Sequence, residues 1–330
     1  MQTKIKVIKS HSHNPYENLA LEEYLLENVE DDEVILYLWQ NLNTIVIGKN
    51  QNPWKECQVS LIENDNILIA RRLSGGGAVF HDLGNLNFTF IMKEDLYNLE
   101  KQLEVIITSL QSLGINASFT GKNDITVDGK KFSGNAFYFN NGVSYHHGTI
   151  LVNTNFNNLE KYLQVSKEKM NLKGITSTRS RVVNLIDLNP RLTIDIVSQA
   201  IVDSFTKLYG GPLEIIHHPP REILVDKIIK NESWDWIYGQ TPDFDLKLEK
   251  YFDFGKLEIL FLLEGSRIQE VNIYSDAVLT GVIDKLKSNL TGVKFNRNHI
   301  LESLSSIIVE TDKEKDMLME IKNWFRSMEI

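Results

Sequence analysis

Three consecutive glycines, Gly75, Gly76 and Gly77, stand in the stretch "RRLSGGGAVFHD" (71–82). Glycine loses more backbone freedom on ordering than any other residue, so a triplet in an ordered chain answers a specific steric demand. Two demands fit: a tight turn or bulge between strands, or main-chain N–H groups brought close to an anion. The run before it, "ILIARRLS" (67–74), begins as a strand, and "NLNFTFIM" (85–92) starts another. The loop therefore joins strands and opens no clear helix. No Gly-Lys-Ser/Thr follows, which excludes a Walker A loop, and the spacing is not G-x-G-x-x-G. Arg71 and Arg72 favour an anion. Neighbouring strand side chains point to opposite faces, so one arginine shares the loop's pocket and the other is structural or at the rim.

The pattern along the chain predicts a mixed α/β domain. Apolar spacing gives helices over 14–29, 96–113 and 193–210, the last stopped by Gly210. Strands are expected at 34–39 and 44–48, joined by a tight turn, at 124–137 with a turn at Asp128-Gly129, and at 143–154. Strict strand–helix alternation is missing, so a doubly wound parallel sheet is not expected. After "SWDWIYGQTPDFD" (233–245) the character changes. Residues 251–275 read as a small antiparallel unit turning at Glu264-Gly265, followed by amphipathic stretches near 277–289 and 313–328. The expected domains are 1–247 and 251–330.

The 330 residues carry a net charge of -9, which argues against a general nucleic-acid binder. A local basic pocket in an acidic protein still holds a small anion. No run reaches the ~18 apolar residues of a membrane span, and the N-terminus lacks the apolar core of a signal peptide. The single cysteine, Cys57, excludes an internal disulfide and fits a cytoplasmic location.

Three more polar clusters stand out. "GKNDITVDGKKFSGNAF" (121–137) places Lys130 and Lys131 before a second Ser-Gly; a hairpin with solvated lysines is the plain reading, and alternation turns one of the pair inward. "KGITSTRSRVVNL" (173–185) sets Lys173, Arg179 and Arg181 among hydroxyl residues, as an ordinary loop would. His146 and His147 are adjacent in a strand pattern, which suits no single metal, and no zinc motif is present. His81-Asp82 alone reads as a fold-satisfying pair.

In this order, the clusters resemble lipoate-protein ligases. "RRLSGGGAVFHDLGNLNFTF" is similar to that family's Arg-Arg-x-Ser-Gly-Gly-Gly-x-Val-x-His-Asp block, and "KNDITVDGKKFSGNAF" to its lysine block. "VIGKNQNPWKEC", "HHGTILVN" and "KGITSTRSRVVNL" also look like family segments, and "SWDWIYGQTP" resembles the lead into an accessory domain. The resemblance implies an α/β (α+β) mixed-sheet domain of the biotin/lipoate ligase type, related to class II aminoacyl-tRNA synthetases, with a small α+β accessory domain. It implies that (R)-lipoate and ATP, with Mg2+, give lipoyl-AMP. The acyl group then passes to a lysine of a lipoyl carrier domain, on a glycine cleavage H protein or a 2-oxoacid dehydrogenase E2 subunit. A cytoplasmic monomer with no nucleic-acid or membrane partner is expected.

Mapped onto this chain, the resemblance makes Lys131 the catalytic lysine, set between the lipoate carboxylate and the α-phosphate. It implies ATP contacts from Arg72, Gly77, Ala78, Val79, Phe80 and Lys131, and lipoate contacts from Arg72, Ser74, Gly75, His81 and Lys131. Asn123 and Asp124 are expected to orient Lys131 or a magnesium ion. The 173–185 loop would cover the adenylate and exclude water. Tyr138 departs from the pattern, standing where related ligases often have Arg, and a neutral phenol supplies no such charge. Three rivals are weighed. An ATP-independent lipoyl or octanoyl transferase needs a cysteine nucleophile, for which Cys57 is the sole candidate. A biotin ligase lacks support because its Gly-Arg-Gly-Arg type loop is absent. A non-catalytic carrier-binding protein would keep the fold and show no chemistry.

Overall fold

The computed structural model describes residues 3–120, 124–163, 182–238, 246–264 and 267–328. The chain divides into two compact units. The first comprises Met1–Ile47, Pro53–Arg72 and Ala78–Tyr238; the second comprises Gly48–Asn52, Leu73–Gly77 and Gly239–Ile330.

An eight-stranded mixed sheet organises the first unit. Its strands are β1 (Lys4–Lys9), β2 (Glu33–Trp39), β6 (Asn85–Lys93), β7 (Ser118–Thr120), β8 (Asp124–Val127), β9 (Lys130–Asn140), β10 (Val143–Leu151) and β11 (Leu213–Ile215), in the order β11-β1-β2-β6-β10-β9-β8-β7. β1 pairs in parallel with β2 and β11, whereas β6, β10, β9, β8 and β7 form an antiparallel run. A smaller sheet of β3 (Thr44–Ile47), β4 (Leu68–Arg71) and β5 (Val79–His81) lies in the same unit, with β3 central.

The two faces of the large sheet differ because side chains alternate along each strand. One face carries Val34, Leu36, Leu38, Leu86, Phe88, Phe90 and Met92. Against it pack Leu103, Ile106 and Leu110 of the helix Leu99–Ser112 and Val197, Ile201 and Phe205 of the helix Ile194–Tyr209. At ~1.5–3 kcal/mol per buried large apolar side chain, this core dominates the unit's stability. The opposite face carries Tyr37, Trp39, Asn87, Thr89, Tyr145 and His147, and the helix Pro15–Asn28 supplies Asn18 and Glu22 to them.

Predicted and observed elements differ in several places. The 34–39 and 44–48 runs are both strands, but they join different sheets. The intervening residues form no tight hairpin, because Asn41 turns inward and is fully buried. The sequence pattern also missed β1 and the helix Arg221–Glu232. The latter has only Leu224, Ile228 and Asn231 buried, too few to give a strong apolar stripe. The Asp128-Gly129 turn is present, with both residues at positive φ (49° and 74°).

The second unit contains an antiparallel sheet of β12 (Leu246–Phe252), β13 (Gly255–Glu264) and β14 (Arg267–Ser275). The expected turn at Glu264-Gly265 falls where the description stops, since 265–266 lie outside the described residues. Helices Thr280–Leu290, Arg297–Ser305 and Asp312–Arg326 cover the sheet, packing Ile283, Leu286, Ile300, Ile321 and Phe325 on Leu257, Ile259, Phe261 and Val271. A capping box between Thr311 and Glu314 starts the last helix. Among the described residues no helix is long and apolar enough to cross a membrane.

Candidate active site

Lys131 lies near the start of β9. Lys130, its neighbour, is exposed, whereas Lys131 is half-buried and its Nζ lies 2.7 Å from Asp124 Oδ1 on β8. A bulge in the β8–β9 ladder, between Ile125 and Thr126, sets this register. The ammonium reaches over Gly134: a Cβ built there would stand 2.7 Å from Nζ and 2.9 Å from Cε. The Gly134 N–H donates to Thr149 Oγ1 at 3.2 Å. The chain re-enters the described residues beside this lysine, as the Val183 N–H donates to the Lys131 carbonyl at 2.9 Å. Lys173, Arg179 and Arg181 of the expected covering loop lie outside the described residues, as does Asn123.

The two arginines take separate roles. Arg71 donates from Nε to the Trp236 carbonyl at 2.8 Å and from Nη2 to that of Ile237, while Trp236 Nε1 donates to the Arg71 carbonyl at 2.9 Å. It fixes the short helix Trp234–Ile237. Arg72 is buried, donates to the Val46 carbonyl at 3.1 Å, and has its pKa lowered by burial to about 10, against the opposing pull of Tyr145 and Glu22. At neutral pH it stays a cation.

Around Arg72 is a buried polar group. Glu22 Oε1 lies 2.9 Å from His147 Nδ1 and accepts from Thr89 Oγ1 at 2.7 Å; Thr89 in turn accepts from Trp39 Nε1 at 3.1 Å. His81 lies 3.2 Å from Asn41 Nδ2, and its pKa is pushed down to about 3 by burial, with smaller contributions from the Arg72 and His147 charges. His81 and Asp82 turn apart: Asp82 accepts from the N–H groups of Gly84 and Asn155 at 2.9 and 2.8 Å. Tyr138, at the departure from the expected Arg, stacks on Tyr145 with centroids 5.2 Å apart.

The sequence reading missed Glu22, Asn18, Asn41 and Thr89. One signal was present: Asn18 and Glu22 are four apart on an otherwise leucine-rich helix, hence on one face with Leu19, Leu25 and Leu26 buried beside them. His146 and His147 point to opposite sheet faces. His146 sits among Phe88, Phe90 and Phe137, between Gln102 and Asn135 oxygens at 3.0 and 2.9 Å. Among the described residues no group of three or more His, Cys, Asp or Glu is placed to hold a metal ion.

The glycine loop is divided in its demands. Gly76 has φ 91° and donates its N–H to the Ala277 carbonyl at 3.1 Å within the second unit. A Cβ on Gly75 would stand 2.2 Å from the Ala277 oxygen, and one on Gly48 2.3 Å from the Gly76 oxygen. Gly75 therefore answers the fold, whereas no atom of the described residues lies within 4 Å of where a Gly77 Cβ would be. Ser74 is buried, and its carbonyl accepts from the Lys49 N–H at 2.9 Å. In the first unit, the Phe80 ring packs among Ile45, Ile47, Cys57 and Tyr162, with Ala78 at the margin of that cluster and Val79 paired to Val46.

Two family descriptions match the sequence: "Lipoyl protein ligase A/B catalytic domain" over residues 14–206 and "Bacterial lipoate protein ligase C-terminus" over 241–325. The chain belongs to the lipoate-protein ligase family. A lipoate-protein ligase A of Psychrobacter cryohalolentis is 39% identical over 307 residues, covering 90% of this chain and 91% of that one. Among solved structures, P. falciparum LipL1 in complex with lipoate superposes with TM-score 0.86 at 34% identity, covering 98% of this chain and all of that one. A lipoate-protein ligase A bound with ATP superposes with TM-score 0.62 at 25% identity, covering 72% of this chain and 99% of that one. The ligase has the expected architecture, a mixed-sheet α/β domain followed by a small unit built on an antiparallel sheet. The transferase reading is not favoured. Cys57 is 1% exposed and burial pushes its thiol up to about 12, so the thiolate that such chemistry needs is scarce at neutral pH.

Proposed function

We propose that this ligase joins lipoate to ATP as lipoyl-AMP and then to a carrier-domain lysine, with Lys131 at the centre of the first step. A lipoate carboxylate oxygen attacks the α-phosphorus; the P–O bond to pyrophosphate breaks and pyrophosphate leaves. Two anions must approach, so the barrier falls where fixed cations and N–H donors offset their repulsion. The observation that carries this reading is Lys131 Nζ, held at 2.7 Å by Asp124 Oδ1 above a residue with no side chain. Asp124 orients the ammonium, which would bridge carboxylate and phosphate.

The other expected contacts divide by chemistry. Arg72, cationic and buried, offers a guanidinium to a carboxylate or phosphate. Gly77, with open space at its α-carbon, lets the backbone through Ala78 and Val79 approach the nucleotide. Phe80 supports that stretch from the core, and His81 is assigned to the lipoyl carboxyl end. Mg2+ would enter as part of the substrate MgATP and would supply charge neutralisation to the phosphates. In the second step an acceptor lysine amine attacks the acyl carbon; a C–N bond forms, the C–O bond to AMP breaks, and the amine loses a proton. The acceptors proposed are the lipoyl domains of H proteins and E2 subunits, and the enzyme is proposed to act as a cytoplasmic monomer.

Exchange of labelled pyrophosphate into ATP tests the first step. Lipoate-dependent exchange is expected, and octanoate and biotin, run in turn, define the acyl selectivity. A transferase or a non-catalytic binder gives no exchange with any of the three.

A further inference from the structure

The proton on His81 can be placed by following hydrogen bonds from backbone carbonyls, which only accept. Asn18, on the helix Pro15–Asn28, is 1% exposed. One atom of its amide lies 3.1 Å from the Ser12 carbonyl and 2.8 Å from the Gln40 carbonyl, so that atom is Nδ2. Its Oδ1 accepts from Ser10 Oγ at 2.6 Å and Tyr37 OH at 3.1 Å, which agrees. The same Nδ2 lies 2.9 Å from an amide atom of the buried Asn41, which must accept and is Oδ1. The remaining Asn41 atom, Nδ2, faces His81 Nδ1 at 3.2 Å and can only donate. His81 Nδ1 is therefore an acceptor. Burial beside Arg72 keeps the ring neutral, so its one N–H is on Nε2.

That Nε2 is buried and makes no hydrogen bond among the described residues. Leaving a buried donor unpaired costs about 1–3 kcal/mol, and such groups are rare enough in native proteins to mark a ligand, a water or a catalytic role. The charged surroundings of the His81 ring favour an anion. The Arg72 guanidinium is the nearby permanent cation, His147 is the second imidazole, and the Trp39 ring stands edge-on with centroids 6.1 Å apart.

We infer that Asn18 and Asn41 preset His81 as a neutral Nε2–H donor for an oxygen of the substrate's carboxyl group. This rests on the ligase reading and gives His81 a defined task within it. A neutral imidazole donates a hydrogen bond without surrendering a proton, so the carboxylate stays nucleophilic towards the α-phosphorus. The same donor serves the acyl carbonyl oxygen once the adenylate forms. Asn41 and Asn18 are positioning residues: they touch the ring or each other, and act on substrate through the tautomer.

The test is nitrogen-15 NMR of histidine-labelled full-length ligase. His81 is expected to show a protonated-type Nε2 and an unprotonated-type Nδ1 across pH 6 to 8, with added lipoate shifting the Nε2–H resonance. A proton on Nδ1, an imidazolium, or an Nε2–H insensitive to saturating lipoate overturns the inference. Asn41→Asp, which sets an acceptor opposite Nδ1, is expected to move a proton onto Nδ1 in the same spectrum; an unchanged spectrum removes Asn41 from the relay. In kinetics, His81→Gln places an amide N–H near the Nε2 position, whereas His81→Asn cannot reach it. A KM for lipoate raised at least about 10-fold in His81→Asn, and restored to within about 3-fold of the parent by His81→Gln, matches a hydrogen bond to a charged group. Equal KM values in both variants and the parent contradict it. Wild-type enzyme without lipoate-dependent exchange would refute the ligase reading itself, while the tautomer would still be decided by the spectrum.

Discussion

The Lys131 ammonium occupies the space that a side chain on Gly134 would need, with a Cβ there standing 2.7 Å from Nζ. Gly134→Ala is therefore expected to move a flexible amine rather than a packed core. Misplacing a reacting group by about 1 Å can cost about 100-fold in rate. Lipoate-dependent pyrophosphate exchange should fall about 10- to 100-fold, with urea-denaturation stability within about 1 kcal/mol of the parent. Lys131→Ala should abolish exchange with the same stability. Normal exchange in Lys131→Ala would remove the lysine from the chemistry.

Gly75 and Gly77, two positions apart, should respond oppositely. In Gly75→Ala the new Cβ meets two main-chain oxygens, of Ala277 at 2.2 Å and Val278 at 2.9 Å. Backbone cannot swing aside as a side chain does, so a loss of about 1–3 kcal/mol is expected by thermal or urea unfolding. Gly77→Ala meets no atom within 4 Å among the described residues, and its φ is not positive. Its stability should match the parent, while its KM for ATP rises. An unchanged ATP KM in Gly77→Ala would mean that the nucleotide does not approach there.

Cys57 belongs to the cluster of Ile45, Ile47, Ile62 and Phe80. Cys57→Ala should lose about 1 kcal/mol of stability through the small cavity left behind and keep full ligase activity. Native protein should react slowly with a thiol reagent at pH 7, because burial pushes the thiol up to about 12. Loss of activity in Cys57→Ala at unchanged stability would revive the transferase reading.

Acid should destabilise the first unit through two histidines. Burial pushes His81 and His146 from 6.5 down to about 3; the Arg72 and His147 charges assist at His81, and His147 at His146. The unfolded chain binds protons at both sites below pH 6.5, and the folded chain does not until near pH 3. The stabilisation is complete above pH 6.5 and is lost as pH falls through that window. Linkage gives about 2 kcal/mol per group between pH 7 and pH 5. Urea midpoints at pH 7, 6 and 5 should show this slope, and His146→Gln should flatten it by about half. A pH-independent midpoint in the parent would show that the rings are protonated in the folded state.

The geometry of the candidate site was partly legible because some of its demands are local. Lys131 was separable from Lys130 by strand alternation and the lysine-block match, and the structure shows one half-buried beside Asp124 and the other exposed. Arg71 and Arg72 divided as alternation requires, into a clamp on the Trp236 and Ile237 carbonyls and a buried cation. Glu22 was not legible as a partner of His147, since 125 residues separate them. The Gly75 requirement was equally hidden: its contact is a carbonyl 202 positions away, at Ala277.

By itself the sequence determined the alternation that makes one sheet face apolar, the helical spacing that covers it, and the glycine, arginine and lysine blocks that point to anionic substrates. These follow from the geometry of near neighbours, which each segment carries in its own order of residues. Only the tertiary structure decided which polar residues meet on the other face, which glycine yields to the fold, and which nitrogen of His81 holds the proton. Each of those is a pairing between distant segments, settled by the need to give buried polar groups partners once water has been excluded.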